Sequence, residues 1–404
     1  MKLLILEEAL QGGEGHWPSY IGTIAAGLRS AGDEVEVLVH RQASPEVISA
    51  VGGTPWLSRN CWTDQRRQGA IGGLRHNLRF AREVNAWLNS HTPPDWVCSL
   101  TVRQQHLLAL TWLATRPQQR PTPRFLLLFV QGFGTTTGAG EPTTFAATPA
   151  NRLARWCFQR LGPAVRSGAV VLAAETAAMQ AELRRFSGLP VALFPHPVPD
   201  APAPGVIDRR EAGRITITCP GFARHEKGND LLQEACLLLR GDRRAERLHV
   251  VCQWPAPFTL PNGTALLPDR ELVASGRYEL LNQSLDAAAY AALLARTDLV
   301  ILPYRRLSYH NRVSRVAIEA AVRGLPLIHT RGTWSEELAS AAGGGLPIAA
   351  ETAKAVAEAL LQALEHAPTL QQAAKAGAAA IAAHHSAAGF RRTLLAAASE
   401  PPAP

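Results

Sequence analysis

Residues 194–219 read FPHPVPDAPAPGVIDRREAGRITITC, a proline-rich run that gives way abruptly to a short strand-like segment. Proline fixes φ and lacks a backbone donor, so 194–213 can extend neither a helix nor a sheet. On the N-terminal side of this break, short apolar runs recur between helix-period segments: LLIL at 3–6, VEVLVH at 35–40, WVCSL at 96–100, FLLLFV at 125–130 and AVVLAA at 169–174. On its C-terminal side the same rhythm restarts with RITITC at 214–219, RLHVVC at 247–252, YELL at 278–281, DLVIL at 298–302 and PLIHT at 326–330. Apolar runs without alternation are those of strands buried on both faces, and their alternation with helices predicts parallel α/β sheets. The expected fold is two doubly wound α/β domains facing across a cleft, residues 1–197 and 214–385, joined by a hinge at 198–213. An alanine-rich tail ends in an amphipathic piece over 386–404 that packs back on the body.

Composition limits the function classes. The 404 residues are 47% hydrophobic and 18% charged, which describes a globular chain. The net charge of +8 comes almost wholly from arginine, with lysine only at Lys2, Lys227, Lys354 and Lys375. Arginine suits phosphate and carboxylate ligands, while base composition of the genome is the alternative source of this bias. The charge is spread over both halves, so no nucleic-acid partner is expected. Cysteines 61, 98, 157, 219, 236 and 252 show no CxxC spacing and several sit in apolar runs; they predict buried thiols, a reducing compartment and no structural zinc. The start MKLLILEEAL turns acidic too soon for a signal peptide, and no apolar run reaches 18 residues. The expected location is the cytoplasm. Residues 66–89, with Arg66, Arg67, Arg75, Arg79 and Arg82 beside Leu74, Leu78, Phe80 and Trp87, form a basic amphipathic segment. It suits peripheral contact with an anionic membrane at its inner face, and a solvated helix face is the alternative.

Ligands of doubly wound sheets bind at the carboxyl ends of strands, so the loops there hold the candidates. The first, ALQGGEGHWPSY at 9–20, offers Gly12, Gly13 and Gly15 for close backbone approach and a helix N-terminus to an anion, with His16 as its polar side chain. It is not GxGxxG, and the second strand ends in His40 instead of a ribose-binding acid, which argues against a nicotinamide site. A flexible glycine turn is the alternative. The second loop, PGFARHEKGND at 220–230, contains Gly221 and sets Arg224 and Lys227 three residues apart before a helix, where both can meet one diphosphate. The third, SYHNRVSRVAIEAAVRGLP at 308–326, offers Ser314 as N-cap, Arg312 for a phosphate and Glu319 for ribose hydroxyls. Each of these two has a bland counterpart, a solvated basic turn and a surface glutamate.

Residues 214–345, through ITITCPGFARHEKGNDLLQEA, LNQSLDAAAYAALLARTDLVILPY and IEAAVRGLPLIHT, resemble the C-terminal domain of GT-B glycosyltransferases. The likeness is to the retaining family 4 type that includes glycogen-synthase-like and mannosyltransferase enzymes. The glycine loop and RSAGDEVEVLV resemble that family's N-terminal signature. The resemblance implies Rossmann-like domains and transfer of a sugar from a nucleotide-diphosphate sugar to an acceptor hydroxyl, with retention. The acceptor would be a glycan, a lipid-linked or a small molecule, as in cell-envelope or exopolysaccharide synthesis. Lys227 matches the family's diphosphate lysine, Arg224 its arginine partner, and Glu319 before Gly324-Leu325-Pro326 the second acid of E-x7-E. The first acid of that motif falls on Asn311, which can hydrogen-bond a sugar but carries no charge. Where many relatives have a histidine after FLLLFV, this chain has Gln131; His16 or His106 could occupy comparable space, and His196 stands at the hinge. The expected catalytic set is therefore His16, Asn311 and Glu319, with donor contacts from Gly221, Arg224, Lys227, Arg312 and Ser314. His384 and His385 are expected to be solvated. No DxD pattern appears, and no metal or other cofactor is expected, since cations and helix N-termini can neutralise the leaving diphosphate. The departures at 131 and 311 keep two alternatives open: a relative that binds nucleotide sugar without turnover, and a GT-B epimerase or inverting transferase.

Overall fold

The apolar runs form strands because the sheet buries them on both sides. In β1 (Lys2–Glu7), Leu4 and Leu6 enter one core with Leu38, Val97, Phe125 and Leu127, while Leu3 and Ile5 enter another with Val37, Val39, Leu126 and Leu128. A computed structural model describes residues 1–12, 17–116, 122–136, 143–200 and 213–399, the side chains of residues 63–70 and 398 apart. With β2 (Glu34–His40), β3 (Gly53–Leu57), β4 (Trp96–Val102), β5 (Arg124–Phe129), β6 (Val170–Ala174) and β7 (Ala192–Leu193), this strand builds an all-parallel sheet of order β3-β2-β1-β4-β5-β6-β7. Its helices show the complementary pattern: Trp17–Ser30 buries Tyr20, Ile21, Ile24, Ala25 and Leu28, a single helical stripe.

A second parallel sheet holds β8 (Ile215–Cys219), β9 (Leu248–Gln253), β12 (Tyr278–Leu281), β13 (Leu299–Leu302), β14 (Leu327–Thr330) and β15 (Gly345–Ile348) in the order β12-β9-β8-β13-β14-β15. A small antiparallel hairpin, β10 (Phe258–Thr259) with β11 (Ala265–Leu266), lies outside it. The long helix Ala353–His384 covers this sheet with Val356, Leu360 and Leu364. All six cysteines are buried thiols.

The described chain divides into two compact units, residues 1–136 with 143–199 and 384–399, and residues 213–383. The final helix, Ala387–Ser399, belongs to the first unit: Phe390 and Leu394 enter its core, and Phe390 meets Phe194 edge-on at 5.3 Å. Arg391 grips Asp33 with two hydrogen bonds of 2.7 and 3.1 Å, which hold the Asp33 carboxyl below its usual range. His385 corrects the expectation of a solvated tail. It is buried, its Nδ1 lies 3.1 Å from the His196 carbonyl, and burial pushes its pKa down to about 3, so the neutral ring donates that bond. Its neighbour His384 is exposed.

Candidate functional site

In the second unit the strand order reverses between β8 and β13, and doubly wound sheets bind ligands at such a switch point. The loop leaving β8 is folded tightly there. Gly221, at φ 84°, donates its N–H to Gln253 Oε1 at 2.8 Å, and a Cβ on it would stand 2.5 Å from Nζ of Lys227. Glycine thus keeps the space above the ammonium clear. Arg224 precedes a 3₁₀ turn, His225–Lys227, and its N–H is fixed by Asn229 Oδ1 at 3.0 Å. Gly228, at φ 68°, then starts the helix Asn229–Leu238; a Cβ there would lie 1.9 Å from the carbonyl oxygen of Pro303, so only glycine lets the β8 and β13 loops meet.

Lys227 is the electrostatic centre of this loop. Burial depresses its pKa, and it forms no ion pair among the described residues, because Glu226 pairs with the exposed Arg224 at 3.6 Å. A desolvated ammonium without a counter-ion is costly unless a ligand supplies the anion. The loop leaving β13 is braced by Arg305, which bonds Asp230 at 2.5 Å and approaches Glu351 at 3.8 Å. Farther on, Tyr304 stacks on Tyr309 at 4.1 Å, and Arg312 lies over Tyr309 at 5.1 Å. Ser314 caps the helix Arg315–Ala321 by accepting the Ala317 N–H at 3.2 Å, as its sequence position predicts. Glu319 is more engaged than the sequence suggests: one of its oxygens accepts from Arg315 Nε at 2.7 Å, and its charge, after burial, pushes the Tyr290 hydroxyl upward. Asn311 sits half-buried in the bend before the cap.

The first unit carries a cluster that sequence reasoning missed, at its own switch point between β1 and β4. Glu7 accepts from Thr101 Oγ1 at 2.7 Å and from the Ala9 N–H at 3.1 Å, yet burial prevails and raises its pKa from 4.5 to about 7. Glu8 behaves oppositely. Burial alone would raise its pKa, but His106 at 3.0 Å and His76 at 3.2 Å outweigh that and hold the carboxyl far below its ordinary value. Glu8 also accepts the Cys61 N–H at 2.6 Å. Glu8, Cys61 and His106 present ligand atoms within 4.8 Å of one another. The histidine tautomer opposes a metal, however: Nδ1 of His106 accepts the Arg103 N–H at 3.2 Å, so Nε2 carries the proton and donates to Glu8. An Nε2 metal ligand needs the reverse. The signal that could have found this cluster was LEEAL itself, two acids at the carboxyl end of a central strand, weighed only against a signal peptide.

Of the remaining sequence candidates, His106 is fully buried in that cluster. His196 is buried too, its Nδ1 2.8 Å from Glu175 and its ring stacked on Tyr20 at 4.2 Å; Tyr20 donates to the same Glu175 oxygen at 2.9 Å. Gln131 is exposed and accepts from Arg103 Nε at 3.1 Å. Gly12 lies in a bend with open space beside it, while Gly13, Gly15 and His16 lie outside the described residues. Gly221, Arg224 and Lys227 share one loop, and Arg312, Ser314 and Glu319 the next segment along the same sheet end.

The acid in the first cluster makes a testable contribution to stability. Between about pH 4.5 and 7 the folded chain keeps a proton on Glu7 that the unfolded chain has released, so this group weakens the fold as pH rises through that window. The full effect is on the order of 3 kcal/mol. Glu7→Gln should flatten that part of the stability profile measured by urea unfolding across pH; an unchanged slope would show that Glu7 titrates normally.

Residues 214–366 match the family model described as glycosyl transferases group 1. No curated protein matches the chain. Solved structures do. The Anabaena protein Alr3699/HepE, in complex with UDP and glucose, is 13% identical with a TM-score of 0.62, covering 99% of this chain and 100% of its own. A glycosyltransferase from Rickettsia africae gives 13% identity and a TM-score of 0.65 over 99% and 98%, and sucrose-phosphate synthase from Thermosynechococcus elongatus 14% and 0.59 over 98% and 100%. The two parallel-sheet units are therefore those of the GT-B glycosyltransferase fold, and the second of them matches the glycosyl transferases group 1 family.

Proposed function

We propose that the protein transfers a sugar from a nucleotide-diphosphate sugar to an acceptor hydroxyl, with retention at the anomeric carbon. The observation that carries this reading is Lys227: a desolvated cation without a counter-ion among the described residues, under a glycine, at the switch point of a group 1 domain. In the reaction the bond from the anomeric carbon to the diphosphate oxygen breaks and the electron pair leaves with the diphosphate. The acceptor oxygen bonds to the same face, and its proton passes to the departing phosphate oxygen. Lys227, Arg224 and Arg312 stabilise the charge that develops on the leaving group, and one such donor typically contributes about 3 kcal/mol in the transition state. Glu319 offers its remaining carboxylate oxygen to the ribose, Asn311 faces the sugar, and no metal is required. The Anabaena neighbour's complex with UDP and glucose supports a nucleotide sugar as donor class.

A thermal-shift screen against UDP, GDP and ADP sugars tests this, since a ligand that binds only the folded state raises its melting temperature. A shift with at least one is expected; none with any would remove the donor site.

The helix Cys61–Ser90 supports a lipid-linked acceptor. No helix among the described residues is long and apolar enough to cross a membrane, but Ile71, Leu74 and Leu78 are exposed along one face beside the exposed Arg75, Arg79 and Arg82. Such a face lies in an anionic interface. The protein should sediment with phosphatidylglycerol vesicles more than with phosphatidylcholine vesicles, and Leu74→Glu with Leu78→Glu should abolish the difference. Equal sedimentation with both lipids would leave that face merely solvated.

A further inference from the structure

The first unit holds a cation that the reaction described above does not use. Arg103 directly follows β4, at the carboxyl end of a strand flanking the switch point. Three contacts fix it. Its N–H is bonded to His106 Nδ1 at 3.2 Å, and that ring is in turn anchored to Glu8 at 3.0 Å. Its Nε donates to Gln131 Oε1 at 3.1 Å, and its guanidinium carbon stands 4.1 Å from the centre of the Trp62 ring. Trp62 is set by Asn60, whose Oδ1 accepts the Trp62 N–H at 2.9 Å, and Trp17 lies 6.1 Å away at 44° to it.

Some arginines of the unit have acids, Arg79 meeting Glu83 at 2.7 Å and Arg391 meeting Asp33 at 2.7 Å, and others, such as Arg29, are spent on backbone carbonyls. Arg103 forms no ion pair among the described residues, and its terminal nitrogens are left for a ligand. A guanidinium held over an indole and bonded at Nε is preorganised, so little side-chain entropy is lost when it takes an oxyanion on its open edge. The indoles add flat apolar surface with one polar edge, which suits the C–H face of a sugar ring beside that oxyanion. Trp62 remains 37% exposed, so its ring is reachable.

We propose that Arg103, with Trp62 and Trp17, selects an acceptor whose terminal sugar carries an oxyanion, either a uronate carboxylate or a phosphate. This rests on the transfer reading only in calling the bound sugar an acceptor; the binding itself is independent of it. Arg103 supplies the recognition, Gln131 holds its Nε, and Glu8 through His106 positions its backbone.

The experiment is a tryptophan-fluorescence titration of the full chain with methyl β-D-glucuronide, glucose 6-phosphate and methyl β-D-glucoside. At least one acidic sugar should bind tenfold or more tightly than the neutral glucoside. Arg103→Gln should erase that preference and Arg103→Lys should keep part of it, with the unfolding transition confirming that each variant is folded. The better of the two acids identifies the oxyanion. Equal affinity for acidic and neutral sugars, a preference that survives Arg103→Gln, or no saturable response to any of the three would each overturn the proposal. Failure of the nucleotide screen with acidic preference intact would instead sink the donor reading alone.

Discussion

Lys227→Met is expected to lower affinity for a nucleoside diphosphate by about 100-fold while raising the melting temperature of the ligand-free protein. Both effects have one cause. The ammonium lies under Gly221 with no carboxylate paired to it among the described residues, and burial depresses its pKa. A lysine whose folded pKa lies below its unfolded value binds its proton less readily in the fold, so the charge opposes folding at pH values below the usual lysine range. Methionine of similar length removes that cost and also removes the diphosphate's counter-charge. Calorimetric titration with UDP, GDP and ADP reads the first effect, and thermal unfolding without ligand reads the second. An unchanged dissociation constant would take Lys227 out of the site. A lowered melting temperature would mean that its ammonium has a stabilising partner in the fold.

Phe390→Ala is expected to destabilise the first unit by about 3 to 5 kcal/mol, the range for truncating a buried phenylalanine. The side chain is 1% exposed and packs against Phe194 in the core shared by Ile5, Ile24 and Leu128. The final helix would lose its main apolar anchor and keep chiefly Leu394 and the bond from Arg391 to Asp33. Urea unfolding reads the loss, and proteolysis within 387–399 should accelerate. A change below about 1 kcal/mol would show that this helix contributes little, since surface substitutions fall in that range.

The strands of both units were legible because parallel sheets bury both faces and leave unbroken apolar runs; FLLLFV and DLVIL declare themselves without alternation. The short strands β3, β7 and β15 were not. They are Gly- or Pro-containing, or only two residues long, and all three lie at sheet edges where fewer apolar side chains are needed. The loop after β8 was legible for a local reason: Gly221, Arg224, Lys227 and Gly228 lie within eight residues of one strand-to-helix turn, so spacing alone brings them together.

The cluster in the first unit was not legible, because it joins Glu8 to His76 and to His106, residues brought together only when β1 and β4 pair. His385 escaped for a related reason. Its alanine-rich surroundings give no sign of burial, and only packing against the His196 carbonyl creates it. Arg103 was equally hidden, since nothing near it in the sequence announces Trp62 or Gln131.

The most direct measurement is release of nucleoside diphosphate from UDP-, GDP- and ADP-sugars in the presence of acidic and neutral sugar acceptors, with the glycosylated product followed by mass spectrometry. A transferase releases diphosphate in step with product from at least one donor, and both fall to background in Lys227→Met. Saturable nucleotide binding with no turnover of any donor would contradict transfer and leave a chain that binds its nucleotide sugar without using it.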